Sequence, residues 1–330
     1  MFDVITIGSA TRDALFRSKS FKILKSPKFF TGRGLGFDLG TKIAIDEVHF
    51  STGGAGTNTA ATFARQGFKT SAIFRIGNDV SGEAVLREMK KEKVDTGFIQ
   101  RDSKLSTAYS VILEHPSGER TILTHRGANW RLNASEIPWA KIKARWIYLS
   151  SLSGDLDIVK SAMDLKKKYG ARIAWNPGGN DLKLGLAKLK PYLRHIDIFI
   201  INQEEAADLL KIPYQNTKKI FKKFDEIIDG IAVMTRGPEG SFVSDGKTIW
   251  RSGTFKEKAI VDRTGAGDAF GSGFTAGLMR KPKNIIFALR LANANATSKV
   301  ERVGAKAGLI TKKEFLKARW SKLKISSEKI

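Results

Sequence analysis

The chain has 330 residues, of which 57 are basic and 33 acidic, giving a formal net charge of +24. Hydrophobic residues make up 42%, which is enough for a substantial core. The absence of cysteine excludes a disulfide scaffold and thiolate catalysis. The first residues carry neither a basic n-region nor a long apolar run, so we expect a cytoplasmic protein with no signal peptide and no membrane contact.

The positive charge favours anionic ligands in general. Many lysines, such as those at 166–168, stand beside apolar positions at helical spacing, which is typical of a solvated helix face. Aromatic and basic residues are mixed in 16–33, and such a mixture can bind single-stranded nucleic acid. A strand with one apolar face explains the same run, so nucleic-acid binding stays the less favoured alternative.

Strand-like and helix-like runs alternate along the chain. The predicted strands cover 3–8, 70–76, 145–149, 171–175, 196–201 and 231–235. The predicted helices cover 58–66, 82–91, 156–169 with Asp155 as its cap and Gly170 as its end, and 311–324. Apolar strands that alternate with helices indicate a mainly parallel sheet between two helix layers.

Two segments break this alternation. Residues 13–52 contain short β-like pieces, and residues 104–125 have the pattern of a β-hairpin around a turn at 116–119. We expect them to form a small antiparallel β lid. The α/β core would then comprise residues 1–12, 53–103 and 126–330.

The most informative motif is Asp-Arg-Thr-Gly-Ala-Gly-Asp-Ala-Phe at residues 262–270. The amides of Gly265, Ala266 and Gly267 would open a helix, and a helix N-terminus binds phosphate. Asp268 would repel a phosphate, but it suits a base that takes the proton of a hydroxyl attacking that phosphate. The structural alternative is a glycine-rich turn capped by Asp268.

A second glycine-rich motif, Gly53–Asn58, precedes a helix of small residues. It lacks the Lys-Ser/Thr ending of a P-loop. Asn58 offers a donor and an acceptor to a polyhydroxylated ligand, although close helix packing explains the glycines equally well. Asp13 follows the first strand, where it either binds hydroxyls or is a solvated loop acid.

Two motifs follow later strands, where α/β proteins place ligands. Asn202 and Glu205 offer oxygen ligands that suit hydrated Mg²⁺, or else form a helix capping box. The loop from Thr235 to Gly240 either lies against a nucleotide or is an ordinary hairpin turn. The four histidines have no metal-binding spacing, and no GxSxG elbow is present.

Taken together, these motifs resemble those of the PfkB/ribokinase family of carbohydrate kinases over nearly the whole chain. Residues 262–270 resemble the ATP-side signature, and Gly53–Asn58 resembles the sugar-side signature. The resemblance implies a three-layer α/β/α sandwich with a β lid. It also implies transfer of the ATP γ-phosphoryl group to a hydroxymethyl group.

The resemblance further implies roles for individual residues. Asp268 is the base, and the amides of Gly265, Ala266 and Gly267 form the anion hole. The implied substrate-binding residues are Asp13, Gly53, Gly54, Asn58 and Asp268. The implied ATP-binding residues are Thr235, Gly237, Gly240, Thr264, Gly265, Gly267 and Asn293. Asn202 and Glu205 are implied to hold Mg²⁺, through water.

Two further properties of some family members stay open for this chain. One is a monovalent-cation site, for which Asp262 and residues 300–304 are the candidates. The other is a homodimer formed through the lid.

Departures from the family pattern bear on the acceptor. Ala55 stands where ribokinase-like sequences carry lysine, and Ser151 where they carry a sugar-binding glutamate, which argues against ribose. Arg263 stands where a small residue is usual, and either adds a cation near the phosphates or faces solvent. We predict a sugar kinase. A nucleoside kinase is the alternative, in which lid aromatics cover a base; these are Phe16, Phe21, Phe29 and Phe30.

Overall fold

The protein is described by a computed structural model that covers residues 1–29 and 31–329. The strands of its first half are β1 (Phe2–Gly8), β2 (Thr11–Arg17), β3 (Lys22–Lys25), β4 (Arg33–Gly36), β5 (Glu47–Gly53), β6 (Thr70–Ile73), β7 (Arg75–Gly77), β8 (Gln100–Asp102), β9 (Ala108–Glu114) and β10 (Arg120–His125). Those of the second half are β11 (Ala144–Ser150), β12 (Arg172–Asn176), β13 (Ile198–Asn202), β14 (Ile231–Thr235), β15 (Ser241–Ser244), β16 (Thr248–Ser252) and β17 (Ile325–Lys329).

The α-helices are α1 (Ala55–Arg65), α2 (Val80–Lys91), α3 (Leu156–Tyr169), α4 (Gly179–Leu182), α5 (Leu186–Leu193), α6 (Gln203–Leu210), α7 (Thr217–Asp225), α8 (Ala266–Arg280), α9 (Ile285–Val300) and α10 (Lys312–Phe315). The predicted caps of α3 are confirmed, because Asp155 accepts a hydrogen bond from the Asp157 amide and Gly170 is left-handed at φ 69°. Among the described residues, no helix has the length and apolarity that a membrane crossing requires.

Nine strands form the central sheet, in the order β17-β16-β15-β14-β13-β12-β11-β1-β6. Six neighbouring strands of this sheet run parallel: β6, β1, β11, β12, β13 and β14. Strands β15, β16 and β17 extend it in antiparallel fashion. Neighbouring residues of the inner strands pack on opposite sides: Ile5 and Ile7 join the core beneath α3, α5, α6 and α7, while Val4 joins the core beneath α1, α8 and α9. This is the predicted α/β/α sandwich.

A second, four-stranded sheet has the order β10-β9-β2-β5 and forms the small β lid. The β9–β10 and β2–β5 pairs are antiparallel, as predicted, but β2 and β9 pair in parallel. These two strands come from chain segments about 100 residues apart, so no tight turn forces them to be antiparallel.

Two predicted elements were wrong. The helix predicted for 311–324 stops after α10, because Trp320 is buried against Phe255 with ring centroids 5.1 Å apart and the chain then pairs as β17 along the free edge of β16. The strand predicted for 70–76 divides at Phe74: β6 joins the central sheet, and β7 turns away to pair with β8.

Candidate active site

The predicted site residues lie at the carboxyl edge of the parallel strands, where α1 and α8 both begin. The residue before α8, Gly265, has φ +76°, which favours glycine. Asp268 lies in the first turn of α8, and its Oδ2 accepts a hydrogen bond of 2.8 Å from Nδ2 of Asn58 on α1. The two glycine motifs, some 210 residues apart in sequence, therefore meet side by side.

Asp268 is half-buried and forms no ion pair with any of the described residues. Burial raises the pKa of its carboxyl group, while the Asn58 hydrogen bond and the positive charge of Lys306 oppose that rise. A carboxylate with a raised pKa is a better proton acceptor than an ordinary aspartate. The environment therefore suits a general base and not a structural ion pair.

Asn58 is 4% exposed, and its Oδ1 atom is buried without a hydrogen-bond partner among the described residues. Its Nδ2 group is already used by Asp268. A buried acceptor without a donor is unfavourable, and a ligand hydroxyl at this position would satisfy it.

Asp13, on β2 of the lid, lies directly over Gly53. A Cβ atom at Gly53 would stand 2.2 Å from Oδ2 of Asp13, so a larger residue there would displace the Asp13 carboxylate. The next residue, Gly54, has φ +90° and lies against the backbone of Ser9 and Ala10. The glycines thus let α1 begin directly beneath the lid carboxylate, and the structure brings together all the predicted substrate-side residues.

Lys306 belongs to this site, although no sequence motif assigned it. The residue is 3% exposed, and its Nζ donates to the main-chain oxygen of Thr52 at 2.7 Å and to Thr52 Oγ1 at 3.0 Å. Burial lowers its pKa, and the charges of Glu88, Asp13 and Asp268 oppose that effect. A single lysine between small residues in Gly304–Gly308 is the sequence signal that points to a packed, buried cation.

A cavity of about 250 Å³ adjoins the start of α8. Five of the predicted ATP-binding residues line it: Thr235, Gly237, Gly240, Gly267 and Asn293. Its other walls include Ile260, Phe270, Ala296 and Val300, so much of the lining is apolar, as a purine ring requires. Arg263 is exposed and also lines this cavity.

The loop from Thr235 to Gly240 is a hairpin turn between the antiparallel strands β14 and β15, which is one of the two structures that the sequence left open, and it also borders the cavity. Asn293 is 2% exposed, and its amide donates to Ser252 Oγ and to the Leu289 carbonyl, so its orientation is fixed.

The two remaining predicted ATP-binding residues, Thr264 and Gly265, lie between Arg263 and Ala266, which both line the cavity. Thr264 has a buried Oγ1 without a partner among the described residues, while its amide donates to Asp262 Oδ1 at 2.8 Å. The amide of Ala266 donates to the Arg263 carbonyl at 3.2 Å, so it is partly engaged within the turn. Gly267 is exposed, with open space where a side chain would stand.

Asn202 and Glu205 form the capping box of α6. Asn202 Oδ1 accepts from the Glu205 amide at 2.8 Å, and Glu205 Oε2 accepts from the Asn202 amide at 3.0 Å. Burial raises the pKa of Glu205. The cap leaves the other carboxylate oxygen, Oε1, for a water-mediated ion. Direct coordination by a cluster fits less well, since no group of three or more acidic, histidine or cysteine residues gathers in the described part of the chain.

The described lid aromatics do not line this site. Phe16 points to the face of β2 opposite Asp13, because side chains alternate along a strand. Phe21 packs edge-on against Phe37 with centroids 5.4 Å apart, and the Phe29 ring covers Gly34. The remaining one, Phe30, lies outside the described residues.

One ion pair joins the lid to the loop that precedes α8. Arg120 on β10 donates from Nη1 to Asp262 Oδ1 at 2.6 Å. Arg120 shares a lid face with Asp13, through its register with Glu114 and Arg17. The lid therefore contacts the start of α1 through Asp13 and the loop that precedes α8 through Arg120.

The fold and the site place the protein in the ribokinase-like class: a parallel sheet between helix layers, a β lid, and a helix that begins with a carboxylate at the carboxyl edge. The chain belongs to the pfkB family of carbohydrate kinases, whose sequence profile matches residues 3–312.

Known proteins agree with this assignment. Ribokinase from Haemophilus influenzae is 31% identical over 270 residues, which cover 80% of this chain and 86% of the relative. Ribokinase from Staphylococcus aureus is 27% identical over 265 residues, or 78% of this chain and 84% of the relative.

Solved structures show the same fold. Ribokinase from Arabidopsis thaliana, solved with ribose and ATP, superposes with a TM-score of 0.77 at 22% identity, covering 96% of this chain and 98% of the other. A nucleoside kinase from Methanocaldococcus jannaschii gives 0.76 at 20% identity, with the same coverage.

Proposed function

We propose that the protein is an ATP-dependent kinase that phosphorylates a hydroxymethyl group of a sugar. The observation that carries the proposal is the hydrogen bond between Asn58 and Asp268. It places a candidate acceptor-binding side chain and a candidate base together, at the mouth of a helix whose first amides suit phosphate. Family membership and the adjoining cavity support the assignment of ATP as donor.

On the acceptor side, Asp13 and Asn58 would hold hydroxyl groups. Asp13 offers a carboxylate that accepts hydrogen bonds, and Asn58 Oδ1 lacks a donor. Lys306 opposes the burial-induced rise in pKa of both Asp13 and Asp268. The buried ammonium thus favours the ionised carboxylates that bind and deprotonate an alcohol.

On the phosphate side, the amides of Gly265 and Gly267 would hold the γ-phosphoryl group during transfer, with Ala266 released from its turn hydrogen bond. Asp268 would accept the proton of the attacking hydroxyl as the O–P bond forms and ADP leaves. Thr264 Oγ1, buried without a partner, would donate to a phosphate oxygen. Positioning and charge neutralisation then provide most of the catalysis.

The nucleotide base would occupy the apolar part of the cavity, with Thr235, Gly237, Gly240 and Asn293 around it. Glu205 and Asn202 would hold Mg²⁺ through water, consistent with their commitment to the helix cap. When bound, Mg²⁺ neutralises charge on the β- and γ-phosphates.

The acceptor is proposed to be a sugar other than ribose, on the grounds of Ala55 and Ser151. Ser151 is left-handed at φ +52°, an unusual conformation for serine. The nucleoside alternative loses its main support here, because the three described lid aromatics are engaged within the lid or point away from Asp13.

A homodimer through the lid is proposed as the assembly. Three exposed apolar side chains share the lid face opposite Asp13: Val48, Phe50 and Leu123, at 43%, 59% and 54% exposure. An exposed apolar sheet face of this kind is typical of an interface. Light scattering should give twice the chain mass, and a monomeric mass would contradict the dimer.

ADP release across pentoses, hexoses, phosphosugars and nucleosides tests the proposed function. We expect one sugar class to give saturable, ATP-dependent phosphorylation. Slow ATP hydrolysis without acceptor is also expected, since a closed lid excludes water. Steeply salt-dependent oligonucleotide binding, with no ADP formed from any acceptor, would overturn the proposal in favour of a nucleic-acid-binding protein.

A further inference from the structure

Lys299, in the last turn of α9, is fully buried. A buried ammonium group is strongly unfavourable unless it is paired. Its Nζ donates to the main-chain oxygen of Asp262 at 2.5 Å and lies 3.5 Å from both Asp262 Oδ2 and the Arg302 carbonyl oxygen. Burial lowers the pKa of Lys299, and the charge of Asp262 opposes that effect.

The oxygens around this ammonium group are two main-chain carbonyls and a carboxylate. Such a set also suits an alkali cation, because carbonyl oxygens can replace its hydration shell. These oxygens belong to Asp262 and Arg302. Both residues are among the candidates that the family resemblance gives for a monovalent-cation site. A lysine side chain already stands among these oxygens.

The Asp262 carboxylate has little capacity left for a metal ion. Its Oδ1 accepts from Arg120 and from the Thr264 amide, and its Oδ2 accepts from the Gly304 amide at 2.9 Å. Two cationic side chains, Arg120 and Lys299, therefore face it from different elements. A third positive charge would be repelled by both. These residues do not fit an added monovalent cation.

We infer that the Lys299 ammonium is a built-in replacement for the monovalent cation, and that the protein works without K⁺ or Na⁺. Lys299 fixes the carbonyl of Asp262, three residues before Gly265. It is therefore a positioning residue for the loop that presents the α8 amides. Its importance for turnover depends on the proposed anion hole, whereas its effect on cation binding does not.

The first test uses the unaltered protein at constant ionic strength, with tetramethylammonium as the inert cation. Adding K⁺ or Na⁺ should change kcat and the ATP KM by less than about twofold, as for a nonspecific salt effect. Neither ion should raise the unfolding temperature specifically, and ²⁰⁵Tl NMR should detect no bound Tl⁺. Activation beyond about fivefold by K⁺, or a saturable K⁺-specific thermal shift, would overturn the inference.

The second test removes the ammonium group with Lys299→Met, using the exposed Lys160→Met as control. Losing a charged hydrogen bond to the loop should reduce turnover roughly 10- to 100-fold. K⁺ should then raise the unfolding temperature of Lys299→Met, bind it in the Tl⁺ experiment, and restore part of the turnover. A variant that folds but gains no K⁺ response would contradict the replacement.

The unaltered protein decides the question even if Lys299→Met does not fold. If no acceptor yields ADP, the proposed function fails, but the thermal shift and Tl⁺ binding still test Lys299. The two failures are therefore distinguishable.

Discussion

The proposed phosphate side of the site comes from one continuous stretch, residues 262–268, whereas the proposed acceptor side is assembled from the lid, the start of α1 and Lys306. The proposed phosphate side would act through backbone amides, and the proposed acceptor side through buried charged side chains. A local motif can define the proposed phosphate side, because the geometry of the helix N-terminus alone orients these amides. The proposed acceptor side forms only when the lid sheet packs against the core.

The two sides meet at Asp268, which takes its backbone position from α8 and its side-chain partner, Asn58, from α1. Variants that act on one side should therefore leave the ligand of the other side bound. A change at Asp268 should reduce transfer most strongly and leave nucleotide binding unaffected.

Asp268→Asn should have the largest effect. The amide cannot accept the hydroxyl proton, so kcat should fall by about 10²–10⁴-fold. Steady-state ADP release measures this, and calorimetry should show ADP binding unchanged. The exposed Asp164→Asn is the control. Near-normal turnover in Asp268→Asn would show that Asp268 is not the general base.

Asn58→Ala should act on the acceptor side. It removes both a hydrogen bond to Asp268 and the free Oδ1, so acceptor affinity should fall roughly tenfold while ADP affinity stays within about twofold. Calorimetry with each ligand separates the two effects. If Asn58→Ala weakens acceptor binding and ADP binding equally, the acceptor and phosphate sides of the site do not bind their ligands independently.

Lys306→Met should move the pH profile. Burial raises the pKa of Asp268 and Lys306 lowers it, so loss of this cation leaves the pKa higher still. The base works only when deprotonated, and the acid limb of kcat/KM should therefore shift to higher pH. Lys312→Met, at an exposed position, should not shift it. If the acid limb of kcat/KM stays in place or moves to lower pH, the Lys306 charge does not lower the pKa of the Asp268 carboxyl group.

Arg263→Gln should have the smallest effect. Arg263 is exposed at the cavity, where solvent screens its charge, so the ATP KM should rise by about two- to fivefold with kcat nearly constant. Arg194→Gln provides a matched control on the surface. A fall in kcat beyond about tenfold would show that Arg263 contacts the transferred phosphoryl group.

Sequence periodicity predicted the parallel core well, since strands such as β14 and the capped helix α3 are specified by local signals. The end of the chain was mispredicted as a helix, because pairing of β17 with β16 depends on a distant edge. Glycine spacing likewise identified the region of the α8 amides. The motifs assigned no role to Lys306 or Lys299, whose hydrogen-bond partners Thr52 and Asp262 are 254 and 37 residues away in sequence. Both lysines are buried by segments that are distant in sequence, so their hydrogen-bond partners become apparent only in the folded structure.

In the proposed reaction, Asp268 takes a proton from the acceptor hydroxyl while the phosphoryl group passes directly from ATP to the acceptor. The alternative is that this carboxylate attacks ATP itself and forms an acyl phosphate. Transfer from ATP with a chiral, isotopically labelled γ-thiophosphoryl group to the best acceptor distinguishes them. Direct transfer predicts inversion at phosphorus and no covalently labelled protein, whereas retention with a labelled Asp268 would contradict direct transfer.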